Sequence, residues 1–377
     1  MNGRDNRGGS HDESVDMLHM ARALALAERG LGRTSPNPMV GAVVVDDEGV
    51  VVGRGFHEAV GGPHAEVHAL NAAGELARGA TLYCTLEPCA HTGRTPPCAP
   101  RVVEAGVRRV VVATGDPNPM VAGRGLDHLR EHGIDVTVGV MSAEAERLNA
   151  PFFTVMRLGR PFVTMKVALS QDGHVAAGPG QRTALTGPRA NRFIHRERAE
   201  VDAIAVGSGT VVADNPLLTA RGAYRARPLV RVVFDRTLRT PPSARLFSTL
   251  EAGPVIIVAA EPRMPEGRER SEALHAAGAR LEFIGRSDGD GLRDALVRLR
   301  AASVSSLVVE GGPTLHRAFW DAGLVDRVQI FQTPLHVGTS GVAWLDVDDV
   351  LGRTREDLRT IPFGDDVMIE SYVYRAG

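Results

Sequence analysis

Cysteine is scarce, with three thiols in 377 residues, at Cys84, Cys89 and Cys98. So few leave nothing for a disulfide framework and fit a reducing compartment, the cytoplasm. Long apolar runs are missing as well. None approaches the roughly 20 residues that a membrane-spanning helix needs, so no membrane partner is expected. Residues 1–14 carry no apolar signal-peptide core and read as a disordered leader. An excess of one charge is also absent: 43 Lys and Arg stand against 45 Asp and Glu, a formal net charge of −2. That excludes a generally basic nucleic-acid binder. What remains, 43% hydrophobic and 23% charged residues, is an ordinary globular composition. The chain is long enough for two domains of about 150 residues each.

Two of the three cysteines stand beside prolines, downstream of a histidine. Pro63-His64-Ala65-Glu66, Glu87-Pro88-Cys89 and Pro97-Cys98 offer His64, Cys89 and Cys98, a ligand set that suits one tetrahedral zinc ion. Three protein ligands leave the fourth position open, as in catalytic rather than structural sites. A water held there has its pKa lowered to roughly 7. Glu66 is not needed as a ligand and is placed to shuttle a proton from that water to a leaving nitrogen. His-x-Glu with a later Pro-Cys-x-x-Cys is the pattern of zinc-dependent nucleobase deaminases. Here eight residues, 90–97, separate the two cysteines and read as an inserted loop.

The alternatives are a structural zinc or cysteines that merely pack. A structural site needs a further Cys or His. Cys84 lies in the alternating run 81–86, a strand, and reads as a small buried hydrophobe. His68 has the spacing of a zinc protease, but Ala65 holds the place where those enzymes need glutamate. It reads as a packed or solvated helix residue. Residues two apart on a helix point about 200° apart. His64 and Glu66 therefore meet one small site only at a helix's N-terminal edge, where Pro63 fits.

Helical spacing over 15–30 is followed by a rigid loop at 34–38, a strand over 40–45, a turn, and a returning strand over 50–56. The zinc helix is expected over 64–78, a strand over 80–86, a helix over 100–105, strands over 107–113 and 134–140, and a helix over 143–148. Asn149-Ala150-Pro151 breaks this pattern, which puts a domain boundary between 149 and 160. Beyond it a strand over 162–169 leads into Ser170-Gln171-Asp172-Gly173. A helix over 188–199 and a strand over 202–206 precede a loop at 207–210 that runs into 211–216. Strands over 229–234, 255–259 and 281–284 alternate with helices near 268–277 and 292–301. A strand over 306–309 ends in Glu310-Gly311-Gly312-Pro313-Thr314 and opens a helix over 315–322. Such alternation implies layered α/β sheets that bind ligands at strand ends and helix starts. The Gly-Gly turn lets backbone N–H groups approach a cofactor phosphate, although the Gly-x-Gly-x-x-Gly fingerprint is absent.

Taken together, Pro36-Asn37-Pro38, Gly62-Pro63-His64-Ala65-Glu66, Leu86-Glu87-Pro88-Cys89, 93–98 (Gly-Arg-Thr-Pro-Pro-Cys), 115–119 (Gly-Asp-Pro-Asn-Pro) and Gly123-Arg124-Gly125 resemble the bifunctional deaminase–reductase family of riboflavin biosynthesis. The spacing between the cysteines is that family's own, and its Lys-x-x-x-Ser-x-Asp-Gly recurs from Lys166 to Gly173. The resemblance implies a cytidine-deaminase-like three-layer α/β/α domain over 15–150 and a dihydrofolate-reductase-like α/β domain over 161–377. It implies one zinc in the deaminase domain, NADPH in the reductase domain, and a pyrimidine ribose-phosphate substrate. A homo-oligomer, dimer or tetramer, is a further implication.

By the same resemblance Asn37, His57 and Arg94 contact substrate in the first domain, and Arg198, Leu218, Arg221 and Glu310 in the second. Lys166, Ala168, Thr210, Asp214, Gly311, Gly312, Pro313 and Thr314 face NADPH, with Asp214 the nearest candidate proton donor. Arginines such as Arg198 and Arg221 can grip a phosphate through forked hydrogen bonds. The chain departs from the family at 182–187, where Arg182 and Ala184 stand in place of the usual serine and tryptophan. Two other readings are a free-base or nucleoside deaminase with an inactive or altered reductase-like half, and a zinc-stabilised binding module.

Overall fold

The computed structural model describes residues 13–91, 96–119, 121–285, 288–354 and 358–373. They divide into two units, one up to Arg157 and one from Leu158. Residues 1–12 of the expected leader and the substrate candidate Arg94 lie outside the described residues. Ser14, the last residue of that leader, belongs instead to the first helix.

In the first unit, β-branched runs set one sheet. Its strands are Gly41–Val45 (β1), Val51–Phe56 (β2), Thr81–Cys84 (β3), Arg109–Val112 (β4) and Asp135–Val138 (β5). Their order is β2-β1-β3-β4-β5, with β1 antiparallel to both neighbours and the rest parallel. Helices Glu13–Ala27 (α1), Ala65–Ala73 (α2), Cys98–Glu104 (α3), Arg124–Glu131 (α4), Ser142–Leu148 (α5) and Ala150–Leu158 (α6) surround it.

Ala65, Ala69, Ala99, Val102 and Leu129 of α2, α3 and α4 cover one face of the sheet, while Met20, Ala23 and Ala145 of α1 and α5 cover the other. These are three layers. A buried Asp16 on α1 accepts two hydrogen bonds from Arg109, at 2.8 and 2.7 Å, and one from the Tyr83 hydroxyl at 2.9 Å. That fork locks α1 to the sheet.

The second unit contains Phe162–Leu169 (β6), His174–Ala176 (β7), Ala203–Gly207 (β8), Val230–Phe234 (β9), Val255–Ala260 (β10), Ala279–Ile284 (β11), Ser306–Gly311 (β12), Arg327–Gln332 (β13), Val342–Ala343 (β14), Arg359–Phe363 (β15) and Asp366–Tyr372 (β16). Nine of these strands form one sheet, ordered β11-β10-β9-β8-β12-β6-β13-β16-β15. It is parallel from β11 to β13, and β16 and β15 are antiparallel. The strands β14 and β7 pair apart from it as a small flap.

Helices Pro188–Glu200 (α7), Ser208–Asp214 (α8), Pro265–Ala276 (α9), Asp288–Ala301 (α10), Pro313–Asp321 (α11) and Val347–Gly352 (α12) complete the unit. At the start of β8, Asp202 accepts the N–H groups of Ser305 and Ser306 at 2.8 and 3.0 Å and pairs with Arg227 at 2.5 Å. It thereby ties the N-terminal ends of β8 and β12 together. Among the described residues no helix is long and apolar enough to cross a membrane.

Three local expectations change. Residues 208–210, expected in a loop, instead open α8, which runs on to Asp214. Ala150 and Pro151 open α6 instead of breaking the chain, since proline is tolerated in a first helical turn. The zinc helix starts one residue later and ends sooner, with a short 3₁₀ segment over Gly74–Ala77.

Candidate functional site

The three candidate metal ligands converge. His64 caps α2 in an extended conformation (φ −75°, ψ 165°), and Glu66 lies in the first turn beyond it. The angular conflict on a regular helix therefore does not arise, because His64 is outside the helix. Cys89 follows β3 on a loop, and Cys98 is the first residue of α3, with Pro97 as its N-cap.

Ligand atoms of His64, Cys89 and Cys98 all lie within 4.8 Å of one another. His64 Nδ1 is 3.2 Å from Cys98 Sγ and 3.6 Å from Cys89 Sγ, and the Cys98 N–H points at Cys89 Sγ from 3.4 Å. The Cys98 thiol, together with the neighbouring His64, pulls the Cys89 pKa down to about 4. The Cys89 sulfur in turn pushes Cys98 upward. Two thiols that do not ionise together unaided accept a divalent cation, which turns both into thiolates. Two sulfurs and one imidazole nitrogen fit zinc.

Glu66 is buried, its Oε2 has no hydrogen-bond partner, and burial raises its carboxyl to about 7. Asn37 and His57 stand beside this cluster. The Asn37 amide lies 3.3 Å from His57 Nε2, and His57 Nδ1 is 3.2 Å from Pro63 O. These partners give His57 a hydrogen on Nδ1 and an acceptor at Nε2. Burial lowers its pKa. The His57 and His64 rings meet edge to face at 5.6 Å. Cys84 is buried in β3, where desolvation raises its pKa, and neither it nor His68 joins the ligand cluster.

Two close approaches seat the ligand helix. A Cβ on Gly53 would fall 2.2 Å from Ala69 O, and one on Gly55 would fall 2.3 Å from Ala65 O. Glycine at both positions lets α2 lie directly on β2. Glu87 is a residue whose role the sequence reading missed. It is buried, and its carboxylate accepts N–H groups from Asp116 (3.2 Å), Gly123 (3.0 Å) and Gly125 (2.9 Å). It fastens the 115–125 loop beside Cys89. The only signal was its place in Glu-Pro-Cys.

In the second unit a cavity of about 1380 Å³ opens at the C-terminal ends of β6, β8, β9, β10 and β12. Lys166, Ala168, Thr210, Asp214, Arg221 and Glu310 line it, as do the four residues from Gly311 to Thr314. Arg198 and Leu218 do not. Leu218 is buried in the core around β8–β10, and Arg198 reaches the cavity through Glu310. Its Nε donates to Glu310 Oε1 at 2.7 Å and its Nη2 to Oε2, while Lys166 Nζ lies 3.9 Å from Oε1. Burial works against the Glu310 charge, but Arg198 and Lys166 outweigh it and hold the pKa at about 2. Burial lowers the Lys166 pKa despite that carboxylate.

Thr210 and Asp214 share one face of α8 four residues apart, which the loop reading could not reveal. Gly312 has φ 89°, a backbone that favours glycine, and a Cβ on Gly311 would crowd Thr210 Oγ1 at 3.2 Å. The turn thus keeps its backbone bare at the start of α11, a cradle suited to a cofactor phosphate. Arg182 and Ala184 line the same cavity. Burial raises the Asp214 pKa and Arg182 opposes that rise. The sequence reading also passed over His195, which lies one turn before Arg198 on α7. Its Nε2 is 3.2 Å from Arg221 Nη2.

A metal cluster at helix starts and a dinucleotide-sized cavity at strand ends, each on its own α/β unit, define a two-domain deaminase–reductase. The comparisons with known proteins agree. Residues 13–114 match the cytidine and deoxycytidylate deaminase zinc-binding region, and residues 161–367 match the RibD C-terminal domain. The riboflavin biosynthesis protein RibD of Aquifex aeolicus is 42% identical over 86% of this chain and 88% of its own length. That of Escherichia coli is 42% identical over 86% and 89%.

RibD of Acinetobacter baumannii superposes with a TM-score of 0.84 at 36% identity, covering 97% of this chain and all of the other. A Thermotoga maritima diaminohydroxyphosphoribosylaminopyrimidine deaminase/5-amino-6-(5-phosphoribosylamino)uracil reductase gives 0.81 at 34% identity, again covering 97% of this chain and all of the other. The chain belongs to the RibD family. It is a bifunctional zinc-dependent deaminase and NADPH-dependent reductase of riboflavin biosynthesis, with a cytidine-deaminase-like first domain and a dihydrofolate-reductase-like second.

Proposed function

We propose that residues 15–150 deaminate a diaminopyrimidinone bearing a phosphoribosylamino group, and that residues 161–377 reduce its ribosyl chain to the ribityl form. The observation that carries this is the buried Glu66 carboxyl, its Oε2 without a hydrogen-bond partner, beside His64, Cys89 and Cys98. When bound, zinc supplies a water of lowered pKa and NADPH supplies hydride.

His64, Cys89 and Cys98 hold the metal. Glu66 Oε2 takes a proton from the attacking water and returns it to the departing ammonia. Burial favours the protonated carboxyl, which helps it hold the proton between the two transfers. Asn37, with His57 fixing its amide, presents polar groups to the pyrimidine edge, and Arg94 is assigned to the same substrate. In the second site the Gly311–Gly312 backbone with Pro313 and Thr314 receives the NADPH phosphates. Thr210, Asp214, Lys166 and Ala168 flank the cofactor.

Arg221 grips the substrate phosphate. Arg198 acts differently from a free phosphate clamp, because it is committed to Glu310 and fixes that carboxylate against the ribose. Leu218 supports the loop carrying Arg221. Lys166 Nζ joins Asp214 as a candidate proton donor, since it is buried next to Glu310. The protein is further proposed to be cytoplasmic and a homo-oligomer, dimer or tetramer, which sedimentation at several concentrations tests.

The deciding experiment supplies the diaminopyrimidine substrate and NADPH together and follows ammonia and NADPH absorbance in one cuvette. Release of one ammonia per NADPH oxidised is expected. Ammonia with no NADPH oxidation would favour a deaminase whose second half is inactive, a reading to which Arg182 and Ala184 give some weight.

A further inference from the structure

His316 lies in the first turn of α11, directly behind the Gly311–Thr314 turn, and is 1% exposed. The reaction makes no direct use of it, yet both ring nitrogens are engaged. Trp344 donates its indole N–H to His316 Nδ1 at 2.9 Å, and His316 Nε2 is 3.1 Å from Val309 O. An indole nitrogen only donates, so Nδ1 is the acceptor and Nε2 carries the hydrogen given to Val309. The two rings meet edge to face at 6.0 Å.

His316 itself lines the cavity, and these two partners adjoin residues of two of its walls, Glu310 and Val342. Val309 directly precedes Glu310 and the glycine turn. Trp344 directly follows β14, and the flap formed by β14 and β7 lends Val175, Ala176 and Val342 to the cavity lining. Among the described residues that flap has no ladder to the nine-stranded sheet. Two such short strands do not fix their own position; backbone bonds from the Ser170 N–H to His174 O at 2.9 Å and from the Gln171 N–H to Leu335 O at 2.8 Å hold their base, and side-chain bonds add to these. Asp172 supplies one tether, accepting Val337 and Gly338 N–H groups at 3.0 and 2.7 Å. The Trp344 indole supplies another.

We infer that His316 is a positioning residue for the reduction, bracing the β7–β14 flap through Trp344 and the Glu310–Gly311 strand end through Val309. This rests on the reading of the cavity as the joint NADPH and substrate site. One imidazole then sets the distance between the wall that carries the cofactor phosphates and the wall that closes over the reacting groups.

Two variants of the full-length chain separate the two tethers. Trp344→Phe keeps a ring in place and removes the donor to Nδ1. Reductase kcat is expected to fall about tenfold, with NADPH Kd within about twofold, since one buried hydrogen bond is lost on the flap side alone. His316→Asn leaves an acceptor facing the indole and removes the donor to Val309, so NADPH Kd is expected to rise about tenfold. Ammonia release by the first domain is the internal control in both. Unchanged kcat and Kd in both variants, even with a lower melting temperature, would overturn the inference and leave His316 a packing residue. A wild-type chain that fails to bind NADPH would overturn the cavity assignment, and this inference with it.

Discussion

Glu66 shows how much a single side chain can carry. Burial raises its pKa to about 7 against the lowering influence of His64 and Cys98. Glu66→Gln is expected to lower ammonia release by about 10²–10⁴-fold, while NADPH still reduces deaminated intermediate supplied separately. Loss of both activities would argue against two independent sites. His316 yields a pH prediction. Burial lowers its pKa from 6.5 to about 4, so the folded chain stays neutral where the unfolded chain takes up a proton. Its contribution is intact above 6.5 and declines as pH falls from 6.5 toward 4, by up to about 3 kcal/mol. Urea midpoints at neutral pH and at about pH 5 check this. His316→Phe should show a smaller drop over the interval than wild type. Glu66 was legible from its place in His-x-Glu; His316 was not, since a histidine in a helix's first turn carries no mark of the indole that reaches it from Trp344.

Among elements, α2 depends on the two glycines of β2. Gly55→Ala places a methyl against Ala65 O and is expected to cost about 1–3 kcal/mol and to reduce bound zinc, because His64 caps the displaced helix. Chemical denaturation and metal content measure the two effects. Glu87→Gln turns an amide N–H₂ toward backbone donors and should raise the deaminase KM through the 115–125 loop, with the reductase KM unchanged; steady-state kinetics of both halves decide it.

The valine-bearing strands, such as β1, β4 and β6, were readable because their short, largely buried apolar runs are bounded by turn residues. Helix α8 was not. Residues 207–210, with two glycines, read locally as a loop running into 211–216, and packing of Val211 against the β8–β10 core decides otherwise. Helix α6 hid behind Pro151. The strands β13 to β16 went unread, and with them the flap that completes the cavity.

Over the whole molecule, the two chemistries stand on separate sheets with separate cores. A chelator that strips zinc should therefore abolish ammonia release while NADPH oxidation with deaminated intermediate continues; parallel assays on one preparation test it. If chelation instead unfolds the chain, the metal is structural and the open-site reading fails.

The Asp202 fastening sits at the opposite end of the parallel strands from the large cavity. One polar fastening of this half is therefore held at one pole, away from the cavity at the other. Substitutions around Asp202, Ser305 and Arg227 can shift the temperature range of the enzyme while its preference among pyridine nucleotides stays as it was, so the two traits are free to drift separately.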